Sequence, residues 1–259
     1  QARGAQGIMS LFQGDRPFIG WLYALDYNLL GNSPLNWHMY ALIIKVFSAL
    51  AFLWLLRTVW NERKIETTLI ALLFEVYPGF YQQPNAATFK NLLLAYGAAM
   101  ASLACAVLAL KGAFVFRKAM LIIASILLAA LSIFIYEALI GIEAARLILI
   151  WYVLKRDGKL TIRESLRKTV VAAIPYLMFA AAFLFWRLFL FESTRRATNV
   201  DVVLSNFGPL SLTSALHLAV EMILDLIETS LLAWGVPFYQ FSTSVGDARI
   251  TAMATGLAL

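Results

Sequence analysis

Two carboxylates and a guanidinium stand inside the apolar stretch from Leu131 to Ile150: Glu137, Glu143 and Arg146. An ionisable side chain in hydrocarbon is costly, so each needs a polar cavity, a partner or a proton. Glu143 and Arg146 lie three apart on one helix face and make a natural pair. That leaves Glu137 as the freer acid, suited to general acid–base work on a hydroxyl. Its alternative is pairing with a nearby arginine. Asp15 is a second candidate base, with helix capping as the alternative, and Asp26 reads as part of a solvated face. Arg187, Arg195 and Arg196 gather at the end of an apolar run. Guanidinium forks there suit phosphate or pyrophosphate, with headgroup snorkelling as the alternative. Arg16, His38, Gln82, Gln83 and Lys90 complete the set of candidate substrate contacts. His38, opening an apolar run, reads equally as an interface residue. Glu75 is expected near Lys90 as a simple ion pair. No phosphate-binding glycine loop, nucleophile elbow or redox motif is present. No His/Cys/Asp spacing resembles a zinc site. No cofactor is called for, and a divalent metal is left open.

The elements that must position these groups are read from composition first. The chain has 259 residues, 61% of them hydrophobic and 14% charged. A soluble domain is nearer half apolar and a quarter charged. The long continuous apolar runs predict an all-α, polytopic helical membrane protein, with about six to eight transmembrane or re-entrant helices and external amphipathic helices. Alternating membrane β-strands are not the pattern. The net charge of +6 would suggest nucleic acid in a soluble protein. Here the basic residues cluster in short segments between apolar runs, so nucleic acid is not expected as a partner. Cys105, the single cysteine, lies in an apolar run and forms no intrachain disulfide.

Along the chain, Gln1 to Leu35 is not a span. Pro17 suits a first helical turn, and Phe18, Leu22, Leu25 and Leu29 then recur at helical spacing, as in a helix lying in the interface. Gly31 to Pro34 ends it. Asn36 to Trp60 is the first span. Thr67 to Tyr77 is short and stops at Pro78-Gly79. Asn91 to Leu110 is the next clear span. Ala119 to Leu154 is too long for one and reads as a hairpin of two short helices turning near Tyr136-Glu137. A basic loop from Lys155 to Lys168 follows, then a span from Thr169 to Phe191 and a polar loop from Glu192 to Thr213. In Ser214 to Trp234, Glu221, Asp225 and Glu228 form one acidic face opposite leucines, which fits a surface helix or a span lining a polar cavity. Both ends read as cut: Gln1 is not an initiator Met, and Leu259 falls inside a fresh apolar stretch. The whole is taken as one transmembrane domain fragment, with an external segment at 1–35, a membrane core at 36–191, an external loop and helix at 192–248 and the start of a further span at 249–259.

Twelve of the 21 lysines and arginines fall in three segments, Arg57–Lys64, Lys111–Lys118 and Lys155–Lys168. If the first is cytoplasmic, the spans alternate so that all three are. The opposite face then holds Asp15, the Gln82 turn, the Glu137 turn and the Glu192–Thr213 loop.

The segment Asp15-Arg16-Pro17…Tyr27-Asn28…Gly31…Pro34…His38 resembles the first external loop of GT-C-type polytopic glycosyltransferases, in the protein O-mannosyltransferase-like and tetratricopeptide-bearing branches. Phe74-Glu75-Val76-Tyr77-Pro78 is similar to that family's Phe-x-x-(His/Tyr)-Pro. Ser132…Tyr136-Glu137 is similar to its Lys-Glu or Tyr-Glu turn. Tyr77 to Gln83 and Glu143 to Arg146 are also similar to segments of uncharacterised bacterial membrane proteins. The resemblance spans about Asp15 to Arg187. It implies a transferase that takes a sugar from a polyprenyl-phosphate donor on the non-cytoplasmic face of a bacterial inner membrane and passes it to a glycan, lipid or protein acceptor. It implies a principal acid upstream of Gln1, with Asp15 in the Asp-Arg-Pro element and Glu137 lining the donor pocket. Tyr136, where many relatives have Lys, departs from the pattern and puts an identical phosphate contact in doubt. Arg187 and Arg195 align to no family motif. A polytopic transporter or lipid flippase is the second reading, favoured by the broken helices at Pro78-Gly79 and Glu137. A scaffold whose polar groups are interhelical glue is the third.

Overall fold

The computed structural model describes residues 4–14, 16–77, 85–112, 114–158, 160–191 and 212–235. Among the described residues the secondary structure is helical, with no strand. In chain order the helices are α1 (Gly4–Phe12), α2 (Pro17–Leu30), α3 (Pro34–Val59), α4 (Lys64–Glu75), α5 (Ala86–Lys111), α6 (Val115–Ile135), α7 (Ile142–Gly158), α8 (Ile162–Phe185) and α9 (Leu212–Ile227). A 3₁₀ turn, Glu137–Gly141, joins α6 to α7, and π turns extend α8 over Trp186–Leu190 and α9 over Glu228–Leu232.

Local chemistry sets most boundaries. Pro17 opens α2 at a position whose N–H would have no helical partner anyway. Gly31 closes it at φ +64°, a conformation that a side chain would strain, and its N–H bonds the Tyr27 carbonyl. The first turn of α3 reaches back to pin this corner: Trp37 Nε1 donates to the Gly31 carbonyl at 2.9 Å and Asn36 Nδ2 to that of Leu30 at 3.0 Å.

Among the described residues, four helices are long and apolar enough to cross a membrane: Pro34–Val59, Ala86–Lys111, Val115–Ile135 and Ile162–Leu190. The sequence predicts six to eight transmembrane or re-entrant helices. The shorter α4 and α7 have 12 and 17 residues. Large apolar side chains cover the outward faces, among them Phe47 and Leu50 on α3, Leu127 on α6 and Met178 on α8. Water rarely tolerates such a continuous apolar belt, whereas lipid fits it. The chain is a membrane-embedded helical protein.

α5 is the central helix. Leu93, Ala95, Ala98, Ala99, Leu103, Ala104 and Val107 are buried along it. α3 packs on one side and α6, antiparallel, on another. The approach of α3 is close because position 97 is glycine: a Cβ there would sit 3.1 Å from the Ser48 Cα. Small residues at such crossings let backbones approach and gain dispersion contacts, which do the work in lipid that water expulsion does elsewhere.

The ends of α3, α5 and α7 converge. Lys111 Nζ donates to the Thr58 carbonyl at 2.8 Å, Arg156 to the Val59 carbonyl, and Trp60 Nε1 to the Tyr152 hydroxyl at 3.0 Å. The expected clusters of positive charge thus share one end of the bundle. The expected basic loop is corrected, however. Lys155 and Arg156 lie in the last turn of α7, and Arg163, Arg167 and Lys168 in the first turns of α8. The helix starts at Ile162 rather than Thr169 because Thr161 and Glu164 form a capping box, which satisfies two N–H groups before the apolar run begins.

The expected turn near Tyr136-Glu137 is present. Tyr136 is extended, at φ −135° and ψ 101°, and breaks the path between α6 and α7. The α9 helix is exposed on all sides, its acidic residues Glu221, Asp225 and Glu228 included. Near its end, the Tyr77 hydroxyl donates to the Thr229 carbonyl, and the rings of Tyr77 and Trp234 meet edge-on at 6.0 Å.

Candidate functional site

At the end of the bundle opposite the basic cluster, three elements enclose a cleft of about 260 Å³. The first turn of α2 supplies Arg16, Pro17, Phe18 and Trp21; the α6–α7 turn supplies Phe134 and Glu137; the end of α8 supplies Phe183 and Trp186. Glu137 is there because Tyr136 leaves the helix, which turns the next residue outward from the α6 axis. Its Oε2 accepts a hydrogen bond from Arg187 Nε at 2.9 Å. Arg187 lies in the π turn of α8, a wider coil often found at functional positions. The Glu137 side chain is 33% exposed. Among the described residues its second oxygen takes no hydrogen bond. Arg16 stands across the cleft with its guanidinium 5.7 Å from the Tyr136 ring centre.

The cleft's wall is aromatic. Phe134 meets Phe183 edge-on at 5.2 Å and lies 5.5 Å from Trp186, while Phe18 lies 6.1 Å from Phe134. Such rings hold one another at fixed angles and present flat apolar faces beside the charged groups. The cleft offers a carboxylate oxygen, the Arg16 guanidinium and an aromatic lip, with the Arg187 guanidinium bonded to that carboxylate. That set can take a proton from a hydroxyl and hold an anionic group, with an apolar ring face alongside.

Between α2 and α5, Lys90 donates to Asp26 and, at 2.7 Å, to Asn91 Oδ1. The rings of Tyr23, Trp37 and Tyr40 surround its ammonium at 5.3 to 5.7 Å. Both charges are sealed, at 1% exposure each. Two expectations are corrected here. Asp26 does not lie on a solvated face: α2 turns Phe18, Leu25 and Leu29 outward and docks through Ile19, Tyr23 and Asp26. Glu75 does not pair with Lys90 either. Asp26 has taken that lysine, and Glu75 faces Lys45 at 3.9 Å.

In the middle of the bundle the pair read from sequence is present. Arg146 Nε and one terminal nitrogen grip both oxygens of Glu143, at 2.6 and 2.8 Å. The remaining donors go to Ser125 Oγ at 2.8 Å, Ser102 Oγ at 2.8 Å and the Ser102 carbonyl at 3.4 Å. All five guanidinium N–H groups are thereby used. The two serines bond each other's carbonyls at 2.6 and 2.7 Å, which ties α5 to α6. The Tyr176 ring caps the guanidinium at 4.5 Å.

Of the sequence-nominated residues, the structure brings Arg16, Glu137 and Arg187 together. It buries Lys90 apart from them, against Asp26. His38 is exposed on the first turns of α3, away from the cleft. Asp15, Gln82, Gln83, Arg195 and Arg196 lie outside the described residues. The expectation that Glu137 is the freer acid needs amending, since Arg187 holds one of its oxygens. Sequence reasoning missed the aromatic wall and the serines of Arg146. Serines deep in apolar runs, at 102 and 125, were the signal for the latter. Among the described residues there is no group of three or more His, Cys, Asp or Glu side chains placed to hold a metal.

Two larger cavities, of about 740 and 720 Å³, open at the basic end. Neither contains a nominated residue. No protein-family model, curated protein or solved structure matches this chain.

Proposed function

We propose that this chain is a membrane glycosyltransferase that moves a sugar from a polyprenyl-phosphate donor to an acceptor hydroxyl. The observation that carries the reading is the cleft, where a partly exposed Glu137 and Arg16 share one lining under an aromatic lip and Arg187 holds one Glu137 oxygen. In this scheme the acceptor O–H attacks the sugar's anomeric carbon, Glu137 takes the proton, and the C–O bond to the phosphate breaks. The departing phosphate keeps the electron pair, and Arg16 and Arg187 stabilise its charge. The aromatic faces hold the sugar ring. At about 260 Å³ the cleft is just under the ~300–1,000 Å³ of ordinary ligand pockets, so it takes the sugar-phosphate head and leaves the polyprenyl tail in lipid.

By the positive-inside rule the basic end faces the cytoplasm, and the cleft opens on the opposite face of a bacterial inner membrane. With α4 and α7 entering the membrane as short or re-entrant helices, the membrane helices among the described residues number six. The transporter or flippase reading needs an ionisable group open to a central path. The middle of the bundle instead holds a guanidinium with every donor engaged, which favours the transferase.

The test is sugar transfer by the full-length protein in proteoliposomes, with a panel of radiolabelled polyprenyl-phosphate sugars. Glu137→Gln should lower turnover by about 10²–10⁴-fold, the usual worth of a general base. Undiminished turnover in that variant removes Glu137 from the chemistry. No transfer from any donor, with the protein shown to be folded, overturns the reading in favour of lipid transport.

A further inference from the structure

We infer that the groove between α6 and α8 at the basic end is a binding site for an anionic phospholipid of that leaflet. α8 carries Pro175 in its interior. Proline has no N–H to give the carbonyl four residues earlier, Val171, and its ring crowds that turn. Val171 and Pro175 both line a cavity of about 720 Å³, with Ile122 of α6 on the facing wall. The missing hydrogen bond thus lies where the two helices leave room between them, within an α8 that stays helical. The interior is apolar along the depth that an acyl chain would occupy.

The mouth is charged. Lys118 at the start of α6 and Arg167 and Lys168 on the first turns of α8 all line it and are all exposed. Among the described residues none of the three forms an ion pair. The single carboxylate at the rim, Glu164, is already held by Thr161 through the capping box. Three exposed cations over an apolar slot, Lys168 among them beside Glu164, complement one ligand class well: a phosphate head at the rim with a hydrocarbon tail below. Basic pockets between membrane helices on the positive face recognise anionic headgroups in this way. The site is separate from the cleft of Glu137, which lies at the other end of the bundle.

The experiment is native mass spectrometry of the full chain, released from detergent after equilibration with an equimolar mixture of phosphatidylglycerol and phosphatidylcholine of identical acyl chains. Each basic residue near the surface favours an anionic lipid, so the wild-type chain should retain phosphatidylglycerol in preference by about tenfold. Lys118→Gln/Arg167→Gln/Lys168→Gln should bring the two lipids near parity, while Arg57→Gln/Arg63→Gln/Lys64→Gln leaves the preference intact. Equal retention of both lipids by the wild-type chain overturns the site, as does equal loss of preference in the two triple variants. Should the first variant fail to fold, phosphatidylglycerol with a photoactivatable group on its acyl chain decides the matter in the wild-type protein. Labelling concentrated on peptides containing Ile122 or Val171 supports the groove; labelling spread evenly to the outward face of α3 refutes it. Displacement of the lipid by inorganic phosphate alone also refutes it, because the apolar slot would then contribute nothing.

Discussion

Arg146 supplies the sharpest energetic test, because every one of its donors is accounted for. Arg146→Met keeps an unbranched apolar stem and removes the head. Glu143, whose side chain is 9% exposed, is then left charged with no cation. Breaking a buried ion pair from one side costs about 3–5 kcal/mol. The hydrogen bonds to serine are a smaller effect: interhelical polar contacts in membrane proteins average about 0.6 kcal/mol and reach about 1.7. So Ser102→Ala and Ser125→Ala should each cost about 1 kcal/mol. The double variant Arg146→Met/Glu143→Leu removes both charges and leaves the reciprocal serine bonds, which do not depend on the guanidinium. It should be less destabilised than Arg146→Met alone, with a coupling of about 2–3 kcal/mol between the two sites, since paired replacement avoids the stranded charge. The assay is reversible unfolding in mixed micelles, followed by the fluorescence of the seven tryptophans. If the double variant loses as much as the sum of its singles, the two charges act independently and the network as described is wrong.

Three further outcomes follow from particular contacts. Asp26→Asn should loosen α2 from the bundle, because Lys90 is then sealed without its carboxylate; α2 should become cleavable by added protease, and Asp26→Leu/Lys90→Met should restore much of the protection. Gly97→Ala should cost about 1 kcal/mol and Gly97→Val about 3, since the added atoms meet the Ser48 backbone; equal stability of all three would mean the helices can part freely. Thr161→Ala should cost about 1 kcal/mol by removing the α8 cap, read as a lower unfolding midpoint. For orientation, single cysteines at Glu62 and Gly141 in a Cys105→Ser background should react with an impermeant maleimide from opposite sides of sealed vesicles.

Hydropathy alone marked the long helices, because each must be apolar along nearly its whole length to sit in lipid. It marked the α6–α7 turn for the same reason: an acid at 137 interrupts an otherwise continuous run. Partner choice was harder to read. Glu143 and Arg146 were legible because three residues on a helix fix their separation. Lys90 and Asp26 are 64 positions apart, and only the docking of α2 against α5 brings them together. The same holds for Glu137 and Arg187, separated by 50 positions. The cap at Thr161 was written in the sequence as Thr-x-x-Glu, yet the surrounding lysines and arginines looked like loop, since charge density and helix start share that composition.

A charge inside an apolar run is weak evidence of chemistry by itself, because here such charges are paired. What separates them is access. Asp26 and Lys90 are 1% and 2% exposed at the side chain, Glu143 and Arg146 9% and 1%. Those pairs have their cation donors engaged internally and act as fastenings between helices. Glu137 is 33% exposed, with Arg187 at 12%, and Glu137 borders a cleft shared with Arg16. A pair in that setting can exchange partners: on the proposed reading, a donor phosphate competes with Glu137 for Arg187 and frees the carboxylate. On that reading, the pairing that makes Glu137 tolerable in the resting protein also holds it until an anionic ligand is bound. Arg187→Gln and Arg16→Gln should then each weaken donor binding and lower turnover, since both guanidinium groups stabilise the departing phosphate on that reading. Steady-state kinetics over a range of donor concentrations checks this: unchanged KM and kcat in both variants would remove the two guanidinium groups from the chemistry.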